Sequence, residues 1–283
     1  MPLNYDAICN RVFDPEIKRY RAKDVVRIAE GFGAGLPGPL QKGDSPFLDL
    51  HRPIVLPMSA VALGDGEFWQ QDQATGLDWK KIVHASESIK VHKPLHYEGD
   101  LLIKRRVVGV YDRGIKRGAV IDERQEICGL NGELFVTVDA QTVALADGGF
   151  GGVEPPRRKK ISIPDREPDS AVEVLAPVGD RSIFSLKVAL DIDNNRVRGE
   201  KQPEMLRGVG AFGLAGRAGL SEFCNNDPRR LRELAVKYAG PLYAGETLRV
   251  EFWRVSKSCA VFQAFAKERS ELVLSSSYIE FSA

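Results

Sequence analysis

Lys93-Pro94-Leu95-His96-Tyr97-Glu98-Gly99-Asp100-Leu101-Leu102 decides the fold, because it returns later as Gly240-Pro241-Leu242-Tyr243-Ala244-Gly245-Glu246-Thr247-Leu248. Pro94 answers to Pro241 and Gly99 to Gly245, with one residue more in the first copy. Proline presets φ for a turn, and glycine beside an acidic residue closes it. After each copy, apolar and polar residues alternate with β-branched and aromatic enrichment, the pattern of half-buried antiparallel strands. These runs cover 101–111, 118–127 and 134–146 in the first half, with Asn131-Gly132 as a hairpin turn. In the second half they cover 248–255, 260–266 and 272–281. Each half also offers one glycine-rich apolar helix, at 23–35 and at 203–223, the second opening on Pro203. Small residues let such helices lie close against a surrounding sheet. One helix with antiparallel strands, occurring twice, predicts an α+β chain of two related halves.

The halves part at a linker, so the expected units are 1–147, the linker 148–170, and 171–283. The linker opens Gly148-Gly149-Phe150-Gly151-Gly152, passes Pro155-Pro156 and Arg157-Arg158-Lys159-Lys160, and adds Pro164 and Pro168. Glycine frees the backbone, proline interrupts regular structure and adjacent cations repel, so little packing is expected here. The basic run reads as a solvated face rather than a phosphate patch, because no aromatic residues interleave with it.

Composition removes several function classes. Lys and Arg total 40 against 39 for Asp and Glu, a net charge of +1, which argues against a dedicated nucleic-acid binder. Cys9, Cys128, Cys224 and Cys259 have no paired spacing, so neither a metal site nor a disulfide scaffold is expected, and a reduced compartment fits. No apolar run approaches the ~20 residues of a membrane span. The first residues lack the features of a secretory signal, and Glu280-Phe281-Ser282-Ala283 is no peroxisomal tripeptide. The expectation is a cytoplasmic protein with no membrane span.

Over nearly its whole length the chain resembles the MaoC-like hydratases and dehydratases, especially the (R)-specific enoyl-CoA hydratases. In the first half the likeness rests on Glu30-Gly31-Phe32-Gly33-Ala34-Gly35, on Asp78-Trp79 with Ile82-Val83-His84, and on the Lys93-Pro94-Leu95 turn. It continues through Gly148-Gly149-Phe150-Gly151-Gly152 and 163–169. In the second half it rests on 206–213, Lys237-Tyr238 and the repeated turn. The resemblance implies a double hotdog, two modules in tandem whose long antiparallel sheet wraps central helices. It also implies acyl thioesters of coenzyme A as ligand or substrate, with no further cofactor. A possible homodimer is a weaker extension, since a tandem chain already satisfies the pairing single modules seek.

The pattern departs from that family at its chemistry. The family's motif, of the form Asp-x-Asn-Pro-x-His, is followed by a His-Gly at the central helix. Here His51, His84, His92 and His96 are all the histidines, and none follows residue 96. The later His-Gly is Arg207-Gly208. In one register Leu186, Val188 and Asp191 stand at the motif's Asp, Asn and His. In another, Asp193 and Asn195 are kept and Arg198 stands at the His. Residues 184–193 also alternate at period two and read as a strand.

The candidate residues follow. Asp191, Asp193 and Arg207 are the catalytic candidates, against a reading of the two aspartates as decoration of a strand end. Arg207, Gly208 and Lys237 are the substrate-binding candidates: a guanidinium fork for a thioester oxygen or carboxylate, a backbone N–H for the oxyanion, and a cation for a CoA phosphate. His84 reads as structural, or else as a relocated acid or base. Three functions remain open: a thioester-binding hydratase-type protein whose usual Asp/His machinery is lost or replaced, an active hydratase or dehydratase with unfamiliar acid–base groups, and a non-catalytic subunit of a hotdog complex. Losing one positioned acid–base group costs ~10²–10⁴-fold, so slow hydration of a 2-enoyl-CoA is expected. An acidic or histidine residue converging on Gly208 would favour the active enzyme.

Overall fold

The computed structural model describes residues 3–156, 161–186 and 204–282. The first half contributes α1 (Tyr5–Cys9), β1 (Glu16–Tyr20), α2 (Ala22–Gly31), α3 (Ser59–Leu63), β2 (Ile82–Val91), β3 (Gly99–Asp112), β4 (Ala119–Gly129) and β5 (Leu134–Ala144). The second contributes β6 (Ser170–Leu175), the short pair β7 (Ser185–Leu186) and β8 (Met205–Leu206), α4 (Gly208–Cys224), β9 (Leu231–Tyr238), β10 (Thr247–Ser256), β11 (Cys259–Ala266) and β12 (Glu271–Phe281). Ten of these strands form one sheet in the order β1-β3-β4-β5-β2-β9-β12-β11-β10-β6. All its pairings are antiparallel.

The strand order reads the same way outward from the β2–β9 junction on both sides. The two turn copies lead into β3 and β10, which hold equivalent places in the two halves. Gly99 and Gly245 both take positive φ, at 149° and 84°, a region open to glycine at no steric cost. At the junction Ser86 faces Lys237 and Ile89 faces Leu234, so the halves are joined by a continuous ladder.

Period-two burial places Leu248, Val250 and Phe252 of β10 and Ala260, Phe262, Ala264 and Ala266 of β11 on the inner face. α4 lies against that face, and glycine makes the approach possible. A Cβ on Gly213 would sit 1.9 Å from the Phe32 ring, and one on Gly216 would sit 2.6 Å from Met58. Phe32 and Met58 belong to the first half, so one continuous core is built from both. Arg217 of α4 adds a buried tie: its Nη1 donates to the Phe32 carbonyl at 2.9 Å, and its Nη2 pairs with Asp44.

A second, smaller cluster fills the far end of the first-half strands, where Leu3, Ile8, Trp69 and Leu77 meet Val110, Ala119, Ile121 and Ala144. Between the two clusters the inner face is polar. Glu123, Ala140, Glu87 and Val236 lie side by side across β4, β5, β2 and β9, so both carboxylates share that face.

Three expectations change. The helix placed at 203–223 begins at Gly208, because Met205 and Leu206 are extended and paired with β7, and Arg207 keeps a ψ of 156°. The helix placed at 23–35 ends at Gly31, where Phe32 caps it and Gly33 turns to φ 81°. The ends of the linker pack rather than float: Gly149 and Gly151 N–H donate to Asp112 at 2.7 and 2.8 Å, and Trp253 Nε1 donates to the Arg166 carbonyl at 2.8 Å. A Cβ on Gly148 would fall 2.3 Å from the Gly114 carbonyl oxygen, so glycine there serves close approach rather than freedom. Of the alternating stretch 184–193, Ser185–Leu186 is a strand, and residues 187–193 lie outside the described residues.

Candidate active site

The site forms where α4 starts, at the inner face of the β2–β9 junction. Arg207 is the residue before the first helical turn, and no side chain caps that turn. The positive end of a 17-residue helix dipole therefore lies here without a side-chain cap, a setting that favours a polarised oxygen. Gly208 lets the Tyr238 ring close over this start: a Cβ there would be 2.9 Å from Tyr238 Cζ and 3.0 Å from its Oη.

Tyr238 Oη donates to Glu87 Oε2 at 2.9 Å. Glu87, on β2, is only 5% exposed although it is a carboxylate, so its partners decide its state. Burial raises its pKa above the ordinary range; the charge of His84 and the Tyr238 hydrogen bond pull it down, Asp65 pushes it up, and Arg207 lowers it again. Burial, then the charge and hydrogen bond of Glu87, push the Tyr238 hydroxyl well up, so it stays a donor. The exposed His84 ring tilts against Tyr238 with centroids 4.8 Å apart. At the mouth Arg207 Nη1 meets Asp65 Oδ2 at 2.6 Å, which holds the guanidinium firmly protonated. The arrangement joins a polarising helix start, through the Tyr238 hydroxyl, to a buried carboxylate of raised pKa, two elements that proton transfer beside a carbonyl uses.

Arg207 and Gly208 both stand at the start of α4. Lys237 does not join them: on β9 it alternates with inward Val236 and Tyr238, so its exposed side chain leaves from the outer face. Asp191 and Asp193, with every motif position of the two registers except Leu186, lie outside the described residues. Glu87 escaped sequence reading, since a single acid among Ser86, Ser88 and Lys90 looks like a solvated strand face. The available signal was the pair of quoted stretches Ile82-Val83-His84 and Lys237-Tyr238, which meet at the junction where the His84 ring lies against Tyr238 and Ser86 faces Lys237.

A second buried carboxylate, Glu123, accepts from Trp69 Nε1 at 2.8 Å and Gln70 Nε2 at 2.9 Å. These bonds fasten the segment after α3 over the polar strip. Among the described residues, no group of three or more histidine, cysteine or acidic side chains is arranged to hold a metal ion. Also among them, no helix is long and apolar enough to cross a membrane.

Known proteins resemble this chain over its length. The peroxisomal multifunctional enzyme type 2 of Drosophila melanogaster is 26% identical over 275 residues, covering 92% of this chain and 45% of that enzyme. The mouse enzyme of the same name is 26% identical over 211 residues, covering 28% of its length. This chain thus spans less than half of those relatives. The 3-hydroxyacyl-thioester dehydratase Y of Mycobacterium tuberculosis is 27% identical over 263 residues, covering 89% of this chain and 88% of that protein. Among solved structures, a MaoC-like dehydratase from Phytophthora capsici superposes with a TM-score of 0.78 at 21% identity, covering 99% and 98% of the two chains. The Drosophila multifunctional enzyme gives 0.71 at 23% identity, over 95% of this chain and 48% of that one. No protein-family model matches the chain. In sequence this chain is similar to the multifunctional enzymes and the thioester dehydratase named above, and its double hotdog fold is that of the MaoC-like dehydratases.

Proposed function

We propose that the chain is an acyl-CoA hydratase or dehydratase whose acid–base group is Glu87. One observation carries the reading: a buried carboxylate, Glu87, is linked through the Tyr238 hydroxyl to the start of α4. The thioester carbonyl would lie at the Gly208 N–H, where a backbone donor to an enolate-like oxygen is worth ~10²–10³-fold. Ionised Glu87 takes a proton from water as oxygen bonds to C3. The electron pair of the 2,3-double bond moves toward the carbonyl, and Glu87 returns the proton to C2. Elimination runs the same steps backward, so atoms and charge balance with one carboxyl group and no cofactor. Residues 1–147 and 171–283 are, on this reading, two hotdog modules, and Asp191 and Asp193 keep their standing as candidates that this account does not require. Lys237, on the outer face, is proposed only as a distant contact for the CoA phosphates.

A second reading, acyl-thioester binding without turnover, draws on the lack of any histidine after residue 96. Loss of enoyl absorbance with a panel of 2-enoyl-CoAs, followed beside calorimetric binding, separates the two. Turnover supports the enzyme. Binding with no turnover supports the second reading, and neither would overturn both.

A further inference from the structure

We propose that Asp65 is a specificity-determining residue: by occupying Arg207 it makes the mouth select acyl groups that carry no carboxylate of their own. This rests on reading the site as an acyl-thioester site. Arginine alone at the helix start would attract a ligand carboxylate. Here its Nη1 is already 2.6 Å from Asp65 Oδ2, with the two side chains 42% and 45% exposed. Asp65 and Glu87 are the charged groups that act on Arg207. A second carboxylate entering the mouth would therefore face two acids and one cation that is already answered.

Asp65 is also held in place rather than free to swing aside. Arg105 clasps the backbone on both sides of it, donating from Nη2 to the Gly64 carbonyl at 3.3 Å and from Nη1 to the Glu67 carbonyl at 3.1 Å. Four residues on, Trp69 and Gln70 are fastened to buried Glu123. An acid presented from an anchored loop keeps its geometry when ligand arrives, so it acts as a built-in rival to a ligand anion.

The test is calorimetric titration of the full chain with butyryl-CoA and succinyl-CoA. These differ by a terminal methyl against a carboxylate, and their common CoA portion cancels in the ratio of affinities. Wild type should prefer butyryl-CoA. Asp65→Asn, which keeps the shape and removes the charge, should move the ratio about two- to fivefold toward succinyl-CoA, the scale of a partly solvated ion pair. Adding Arg207→Gln to that variant should cancel the shift. Binding of both ligands with an unchanged ratio in Asp65→Asn, or a wild-type preference for succinyl-CoA, overturns this proposal alone. Failure of wild type to bind either ligand overturns the acyl-thioester reading and this proposal with it.

Discussion

Glu87 carries opposite consequences for stability and for chemistry. A buried carboxyl with a raised pKa binds its proton more tightly in the folded chain than in the unfolded one. Its stabilising contribution is therefore complete below the ordinary glutamate value of 4.5 and falls as pH rises toward the higher folded value. Glu87→Gln resembles the protonated form and can still accept from Tyr238. It should melt above wild type at neutral pH, and the gap should close as pH falls through the raised folded value toward 4.5. Thermal melts of both proteins between pH 4 and pH 8 check this; a gap that widens on acidification would refute it. On the proposed reading, the same ionisation that costs stability supplies the base, so folding alone gives no reason for a carboxylate there.

At the scale of elements, α4 shows what its glycines are for. Gly→Ala inside a helix ordinarily gains about 1 kcal/mol. At Gly213 the added methyl would meet the rigid Phe32 ring, itself stacked on Phe184 at 5.0 Å, so the sign should reverse. A net loss of about 1–3 kcal/mol is expected for Gly213→Ala. Gly216→Ala meets the flexible Met58 side chain first and should be nearer neutral. Urea unfolding of the two variants gives the comparison, and equal effects would contradict it. The strands after each turn were legible because proline, glycine and strict alternation act locally. β2 was not, because its register shifts between His84 and Ser86 and breaks the alternation. The start of α4 was misplaced for a related reason: β8 forms by pairing with β7 and bridging to Tyr243, both distant in sequence. Arg207 and Gly208 drew notice through the motif position that the family resemblance marks. Glu87 could not, because its burial exists only once β9 lies beside β2.

Over the whole molecule, the two halves share a core rather than merely touching. Phe32 and Met58 pack on α4, Arg217 of α4 reaches Asp44, and β2 pairs with β9. We propose that residues 1–147 and 171–283 are modules in topology but not in stability. Expressed apart, each should lack a cooperative thermal transition, since each would bare one edge of the junction and half of the core. Two separate transitions would argue for independent domains. The site sits on that shared junction, with Glu87 from one half and Arg207, Gly208 and Tyr238 from the other. The measurement that bears most directly on this account is hydration of a 2-enoyl-CoA by wild type and Glu87→Gln, with acyl-CoA affinity measured alongside. The account predicts turnover lower by ~10²–10⁴-fold in the variant at little change in affinity. Equal turnover by the two proteins would contradict it.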